Sequence, residues 1–178
     1  IQMIKSRVKK PESIIEKLHR RGFPISVKSV RENLYDVAGI RVICSFVDDI
    51  YTVAEMLARQ DDINVLMVKD YIRCPKVNGY RSYHMIIEVP VFFSDRRENM
   101  RVEVQIRTIA MDFWASLEHK MRYKKNIPEN HVKYLQDELY DCARQSAELD
   151  NRMQNIRNLI AEEAEEEECD TLAMLPMK

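Results

Sequence analysis

Only three glycines occur among 178 residues, at positions 22, 39 and 79, beside a single tryptophan. Neither a GxGxxG run nor a Walker loop is present, and GxSxG and HExxH are missing as well. A glycine-rich phosphate cradle, a nucleophile elbow and a helix-borne zinc site are thereby excluded. No apolar run approaches the ~18 residues of a membrane span. Four cysteines (Cys44, Cys74, Cys142 and Cys169) are scattered without CxxC spacing, which argues against a zinc site or a disulfide framework. Cys44 lies in an apolar strand-like run and Cys142 in a helical one, so both are expected to be core thiols in a reducing cytoplasm. The chain opens on Ile1, with no signal-peptide pattern after it, and the expectation is that residues precede it.

What is present fits a folded, soluble domain: 46 % hydrophobic and 32 % charged residues, with a net charge of −1. That small net charge hides an asymmetry. Residues 1–28 carry eight basic side chains (Lys5, Arg7, Lys9, Lys10, Lys17, Arg20, Arg21, Lys28) against the acids Glu12 and Glu16. Residues 161–170 carry seven acids and no base. A basic head suggests an anionic ligand, and an acidic tail a solvated end.

Hydrophobic patterning predicts an initial strand, "MIKSRVK", then a helix, "PESIIEKLHRRG", opened by Pro11 and closed by Gly22. A second helix is predicted over "SVRENLYDVAG", with Ser29 and Glu32 as a capping box and Gly39 as terminator. The strand "IRVICSF" follows, then the helix "DDIYTVAEMLARQ" and the strands "INVLMVKDYI", "SYHMIIEVPVFF" and "MRVEVQIRT". This is an α+β pattern with a mixed sheet of about five strands. Beyond Thr108 the chain reads as helical: a helix from 109, a break near Pro128, and a longer helix from 129 to about 165. Three segments are expected: a domain over 1–125, a helical segment over 126–168, and a tail over 169–178. The long helix carries an apolar seam at Val132, Leu135, Leu139, Cys142, Ser146, Leu149, Met153, Ile156 and Ile160. That seam suits either packing on its own domain or contact with another subunit.

Four constellations carry chemistry. In "RVKKPES" the helix after Pro11 directs its free amides and positive dipole end back at the preceding segment. Arg7 and Lys9 share one side of a strand, Ser13 lies in the first turn, and Lys17 is four residues on. An ordinary basic surface helix with snorkelling lysines would look the same. In "DVAGIR", Asp36 is expected in the last helical turn, where the dipole disfavours an acid. It fits a metal or cationic partner, or a salt bridge to Arg41. In "RVEVQIR" the apolar Val102, Val104 and Ile106 alternate with Arg101, Glu103, Gln105 and Arg107. The polar face suits solvent exposure, or a magnesium-bound phosphate at Glu103. In "PKVNGYRSYH", Asn78-Gly79 is a turn dipeptide with Gly79 at positive φ, between Lys69 and Lys76 upstream and the strand downstream. Tyr80, Ser82 and His84 then share a face. Tyr80 offers a flat surface for a base, and His84 and Lys76 suit phosphate; a decorated hairpin is the plainer reading. Tyr83 is expected on the opposite, structural side. Taken together, these are the parts of a site for phosphoryl transfer between nucleotides.

"RVKKPESIIEK", "DVAGIRV", "VKDYIRCPKVNGYRSYH" and "VEVQIRT", in that order, resemble the synthetase domain of RelA/SpoT-type alarmone synthetases, over residues 1 to about 125. The short chain with a helical end is similar to the small single-domain members. No His-Asp dipeptide of the family's hydrolase domain occurs, so the resemblance implies synthesis only. It implies a nucleotidyltransferase-like fold and an enzyme that moves the β,γ-pyrophosphate of ATP onto the 3′-hydroxyl of GTP or GDP. The products would be AMP and pppGpp or ppGpp, the alarmones of the stringent response. Arg7 and Arg41 would flank adenine, and Lys9, Ser13, Lys17 and Lys69 would hold the ATP phosphates. Asp36 and Glu103 would hold Mg²⁺, with Glu103 also the general base. Tyr80 would stack on guanine, and Lys76, Asn78, His84, Gln105 and Arg107 would fix the acceptor. Small members form tetramers through their terminal helices, which agrees with the seam. Two departures stand out: the chain starts at the first strand, without the upstream helix usual in small members, and its acidic end matches no motif. Competing readings are a toxin-type relative acting on ATP or on the 3′ end of tRNA, and a non-catalytic nucleotide- or RNA-binding module. The net charge argues against tRNA, and the paired acids against a mere binding module.

Overall fold

A computed structural model describes residues 1–122 and 129–173. The elements in chain order are β1 (Met3–Val8), α1 (Pro11–Arg20), α2 (Val27–Asn33), β2 (Ala38–Cys44), α3 (Val47–Ala58), β3 (Asn64–Asp70), β4 (Tyr83–Phe92), β5 (Arg97–Thr108), α4 (Ile109–Arg122) and α5 (Glu129–Ala173). The five strands form one sheet in the order β1-β2-β5-β4-β3. Only β2 and β5 run parallel; the other three pairs are antiparallel. The expected α+β fold with a mixed five-stranded sheet is the one observed.

Register assigns the two faces of this sheet. One row crosses all five strands as Lys5, Arg41, Gln105, His84 and Lys69. Two residues away along the strands, Arg7, Gly39, Glu103, Ile86 and Met67 form a second row on the same face. The alternate positions point the other way because the side-chain period of a strand is two. They supply Val42, Cys44, Met85, Ile87, Val102, Val104 and Ile106 to the core, which Ile50 and Ala54 of α3 and Met111 of α4 complete. Burying a side chain such as Ile50 or Ile106 stabilises by ~1.5–3 kcal/mol. One face of the sheet is therefore committed to the fold, and the polar face is left for chemistry. Tyr83 belongs to the core side, edge-on to Tyr51 at 5.6 Å, as its alternation with Tyr80 and His84 requires.

Local rules explain most element ends. Pro11 opens α1 at its first position, and Gly22 closes the turn after it at φ 71°. For α2 the cap is Ser26, not Ser29: the Ser26 hydroxyl accepts the Ser29 amide at 3.1 Å. The helix stops at Asn33, so Asp36 lies in the loop before β2 rather than in a last helical turn. Gly39 sits inside β2, where its carbonyl and amide serve the sheet, instead of ending the helix. Ser29 with Glu32 fits the capping-box spacing, whereas Ser26, which lacks an acid three residues on, caps the helix by accepting the Ser29 amide alone.

The long helix α5 extends past the expected 165 to Ala173, through the 168/169 boundary. The predicted break at Pro128 and the 125/126 boundary lie outside the described residues. Among the α5 residues whose burial is described, Ala143, Asp150 and Gln154 are buried, with Leu139 and Ser146 half-buried. The seam divides accordingly. Leu139 and Ser146 face the domain, whereas Leu149, Met153, Ile156 and Ile160 are exposed. Cys142 is exposed too and is not a core thiol, while Cys44 is buried as expected. Gln154 explains part of the inner face: its side-chain oxygen accepts the Asp48 amide at 3.2 Å and caps α3.

Gly79 adopts φ 83°, and a Cβ there would lie 2.5 Å from Cβ of Ala143. Gly22 has nothing within 4 Å of a Cβ. Gly22→Ala is expected to cost about 1–2 kcal/mol from its left-handed backbone alone. Gly79→Ala should lose about 1–3 kcal/mol more from overlap. Urea unfolding of the two variants measures the difference; equal losses would mean the turn does not seat on α5.

Candidate functional site

The polar face of the sheet floors a cleft of about 350 Å³. Lys17, Asp36, Lys69, Lys76, His84 and Glu103 all line it. So do Arg21, Tyr35 and Tyr71, which the sequence patterns did not single out. The three strand positions come from register, Asp36 from the α2–β2 loop, and Lys17 from α1 packed above by its buried Leu18.

Asp36 is the negative centre of the α1 side of the cleft. Its Oδ2 accepts Lys9 Nζ at 2.5 Å and Lys17 Nζ at 2.6 Å. The partners are these lysines and not Arg41. Burial alone would push the Asp36 carboxyl up, but the hydrogen bonds from Lys17 and Lys9 outweigh it and hold it below the usual carboxylate range. Burial draws the Lys17 ammonium down, with Asp36 opposing. The second oxygen, Oδ1 of Asp36, is buried and has no partner among the described residues; Arg41 Nε is the other such atom. Leaving a buried polar atom unpaired costs about 1–3 kcal/mol, so both atoms are poised for a ligand.

Glu103 stands close enough for Asp36 to disfavour its charge. His84 Nδ1 lies 3.4 Å from Glu103 Oε1, and Gln105 Nε2 donates to Oε2 at 3.1 Å. The His84 contact holds the Glu103 carboxyl below its ordinary value against burial and Asp36. Glu103 is therefore a carboxylate at neutral pH. The donor set of Asp36 and Glu103, hard oxygens with one lone pair unengaged, fits a divalent cation that keeps further positions for phosphate and water. Among the described residues no group of three or more His, Cys, Asp or Glu gathers as a protein-only metal cage.

The side of the site that bears the Tyr80 loop is built round Arg107. Its side chain is 4 % exposed. Nε donates to Ser82 Oγ at 3.2 Å, Nη1 to Asp112 Oδ1 at 3.0 Å, and Nη2 to Tyr80 Oη at 2.6 Å and Gln105 Oε1 at 2.9 Å. Every nitrogen is engaged, so Arg107 organises the site rather than offering itself to a ligand. Tyr80 Oη also meets His84 Nε2 at 2.9 Å. Tyr80, Ser82 and His84 thus converge as their alternation predicts. The Tyr80 ring is not an open platform, however. Lys76 Nζ lies 4.6 Å from its centroid and Arg107 Cζ 5.2 Å. The same Lys76 ammonium sits 4.6 Å from the Tyr71 ring, between the two aromatics.

Asp112 is the residue that sequence reasoning missed. It occupies the first turn of α4 and joins Arg107 to Arg41, since Oδ1 also accepts Arg41 Nη1 at 3.1 Å. The signal was there: an acid four residues after a Thr, in a turn whose dipole favours it. Burial, then the nearby Arg107, lowers the Arg41 guanidinium from its ordinary value, and Asp112 opposes. Three predicted residues lie away from the cleft. Asn78 turns toward α4, giving Nδ2 to Glu118 at 3.2 Å and accepting the Tyr80 amide. Ser13 is exposed in the first turn of α1, and Arg7 is exposed on the edge strand β1, near enough to Arg41 to be felt electrostatically.

A mixed sheet with one cationic face, a carboxylate pair and flanking helices is a nucleotidyltransferase-like domain, and its structural neighbours agree. Small alarmone synthetase 1 of Bacillus subtilis, solved bound to its product pppGpp, superposes with a TM-score of 0.80 at 38 % identity, over 90 % of this chain and 80 % of that one. Small alarmone synthetase 2 of the same organism gives 0.79 at 48 % identity, over 89 % and 81 %. The family described as "Region found in RelA / SpoT proteins" matches residues 6–128. The chain belongs to the RelA/SpoT family. Among its relatives, the GTP pyrophosphokinase YwaC of Bacillus subtilis is 52 % identical over 88 % of this chain and 74 % of its own length. The GTP pyrophosphokinase YjbM is 40 % identical over 91 % and 74 %.

Asp36 and Glu103 both have carboxyls depressed in the fold. Their contribution to stability is full above the unfolded value, about 4, and is lost as pH falls through the folded values. Unfolding free energies between neutral pH and pH about 3 should decline with acid. The decline should be shallower in Asp36→Asn/Glu103→Gln protein, and an identical slope would contradict the pairing.

Proposed function

We propose that this protein is a GTP pyrophosphokinase, transferring the β,γ-pyrophosphate of ATP to the 3′-hydroxyl of GTP or GDP. One observation carries the reading. The partnerless Asp36 Oδ1 and the Glu103 carboxylate share a cleft walled by Lys17, Lys69 and Lys76. The 52 % identity to a GTP pyrophosphokinase supports the same substrates.

The reaction forms a bond from the ribose 3′-oxygen to the β-phosphorus and breaks the bond from that phosphorus to the α,β-bridging oxygen. AMP leaves with the released oxygen, and the 3′-hydroxyl proton must go to a base. Glu103, ionised at neutral pH, takes it, and His84 and Gln105 keep the carboxylate oriented. A magnesium ion held by Asp36 and Glu103 would neutralise charge developing on the transferred phosphates. Lys9 and Lys17 now pair with Asp36; with ATP bound they turn to its phosphates, joined by Lys69 and Ser13. Arg7 and Arg41 flank adenine. Lys76 leaves the Tyr80 ring for the acceptor's phosphates, so that guanine can take the aromatic seat. Gln105 and Arg107 hold the geometry from behind, and Asn78 shapes the loop. The exposed Leu149, Met153, Ile156 and Ile160 of α5 suit association with further copies, a homotetramer in this reading. No helix among the described residues is long and apolar enough to cross a membrane.

Purified protein with Mg²⁺ and ATP should form AMP in step with pppGpp or ppGpp when GTP or GDP is supplied, resolved by anion exchange. AMP without a guanosine product would overturn the reading. Glu103→Gln should retain the fold and lose at least about 10²-fold in kcat, as loss of a general base does. Lys76→Ala should raise the KM for GTP while that for ATP holds.

A further inference from the structure

The chemistry above makes no use of α5, yet the loop that bears Tyr80 rests on that helix. Gly79 packs so closely on Ala143 that no Cβ fits between them. Tyr80 and Leu139 pack on a second buried cluster of Trp114, Ala115 and Ala143. Arg81, the next residue, reaches away from the cleft and gives Nη1 to Asp150 Oδ2 at 3.1 Å. The same oxygen accepts Thr108 Oγ1 at 2.9 Å. Thr108 Oγ1 in turn accepts the Met111 amide at 3.1 Å, capping α4 just before Asp112.

One carboxylate therefore grips both the loop that leads into β4 and the last residue of β5. Arg81 lies between Tyr80 and Ser82, and Thr108 directly follows Arg107. The three flanked residues are the ones joined by the Arg107 guanidinium. The Asp150 side chain is 6 % exposed. Burial pushes its carboxyl up from the ordinary value, with Thr108 and Arg81 opposing. An apolar pair would fill such a position with no desolvation cost, so a buried ion pair here is retained for what it orients.

We infer that Asp150 is a positioning residue for the acceptor nucleotide, fixing Tyr80 and Arg107 through Arg81 and Thr108 and making α5 part of the acceptor site. The inference rests on the reading of Tyr80 as the seat of the acceptor's base.

Two variants test it: Asp150→Asn, and the charge-free pair Arg81→Met with Asp150→Leu, which leaves no unpaired buried charge and keeps the helix packed. Initial rates are measured with GTP varied at saturating ATP and with ATP varied at saturating GTP, alongside Tm. The KM for GTP should rise about ten-fold or more in both variants, in keeping with the cost of a small misplacement. The KM for ATP should stay put, and Tm of the charge-free pair should match the parent. A charge-free pair with parental Tm and parental KM for GTP overturns the inference, as do two KM values that rise together with a falling Tm. Hydrogen exchange of the Lys76 and Gly79 amides, both bonded within the loop, is read on the same proteins. It should quicken while β2 amides hold, and unchanged loop exchange would also overturn the inference. If the parent protein makes no guanosine product, the acceptor reading fails by itself, and the exchange data still decide whether Asp150 positions the loop.

Discussion

The buried guanidinium of Arg107 is the constraint on which the site depends. A cation with 4 % exposure is tolerable only when each nitrogen is paired, because an uncompensated buried charge costs several kcal/mol. Meeting that demand fixes four side chains at once: Ser82 and Tyr80 from the acceptor loop, Gln105 from its own strand, and Asp112 from α4. Two of these reach on to Arg41, at 3.1 Å from Asp112 and 3.5 Å from Gln105. Arg41 and the Tyr80 loop are thus held at a set spacing by one charge.

Charge balance is the second theme. Asp36 gathers both Lys9 and Lys17 onto one carboxylate oxygen, which leaves one positive charge in excess, and Lys76 lies between the Tyr71 and Tyr80 rings. Side chains already ordered near their final positions lose less entropy on binding, so affinity is gained by preorganisation.

The helix α5 shows how one element can serve two surfaces. Its inner stripe is unusually polar, with Asp150 and Gln154 buried among backbone and side-chain partners from three other elements. Its outer stripe carries the aliphatic residues. A pattern reader expects the apolar stripe to face the domain, but capping α3 and bracing the acceptor loop call for hydrogen-bonding groups.

Much of this was legible in the sequence because it follows short-range rules. Period-two alternation put Glu103, Gln105 and Arg107 on one face and Tyr80 and His84 together, and Asn78-Gly79 announced its turn. Strand order and register then had to come from tertiary structure, since nothing local says that Lys5, Arg41, Gln105, His84 and Lys69 form a single row. The partners of Asp36, the hub at Asp112 and the inner face of α5 were hidden for the same reason. Each joins residues between 5 and 106 positions apart in the chain, and such pairs exist only once the sheet closes and the helices pack on it. Local chemistry named the tools, and long-range packing decided which of them could touch, because hydrogen bonds and ion pairs act over a few ångströms of space rather than along the chain.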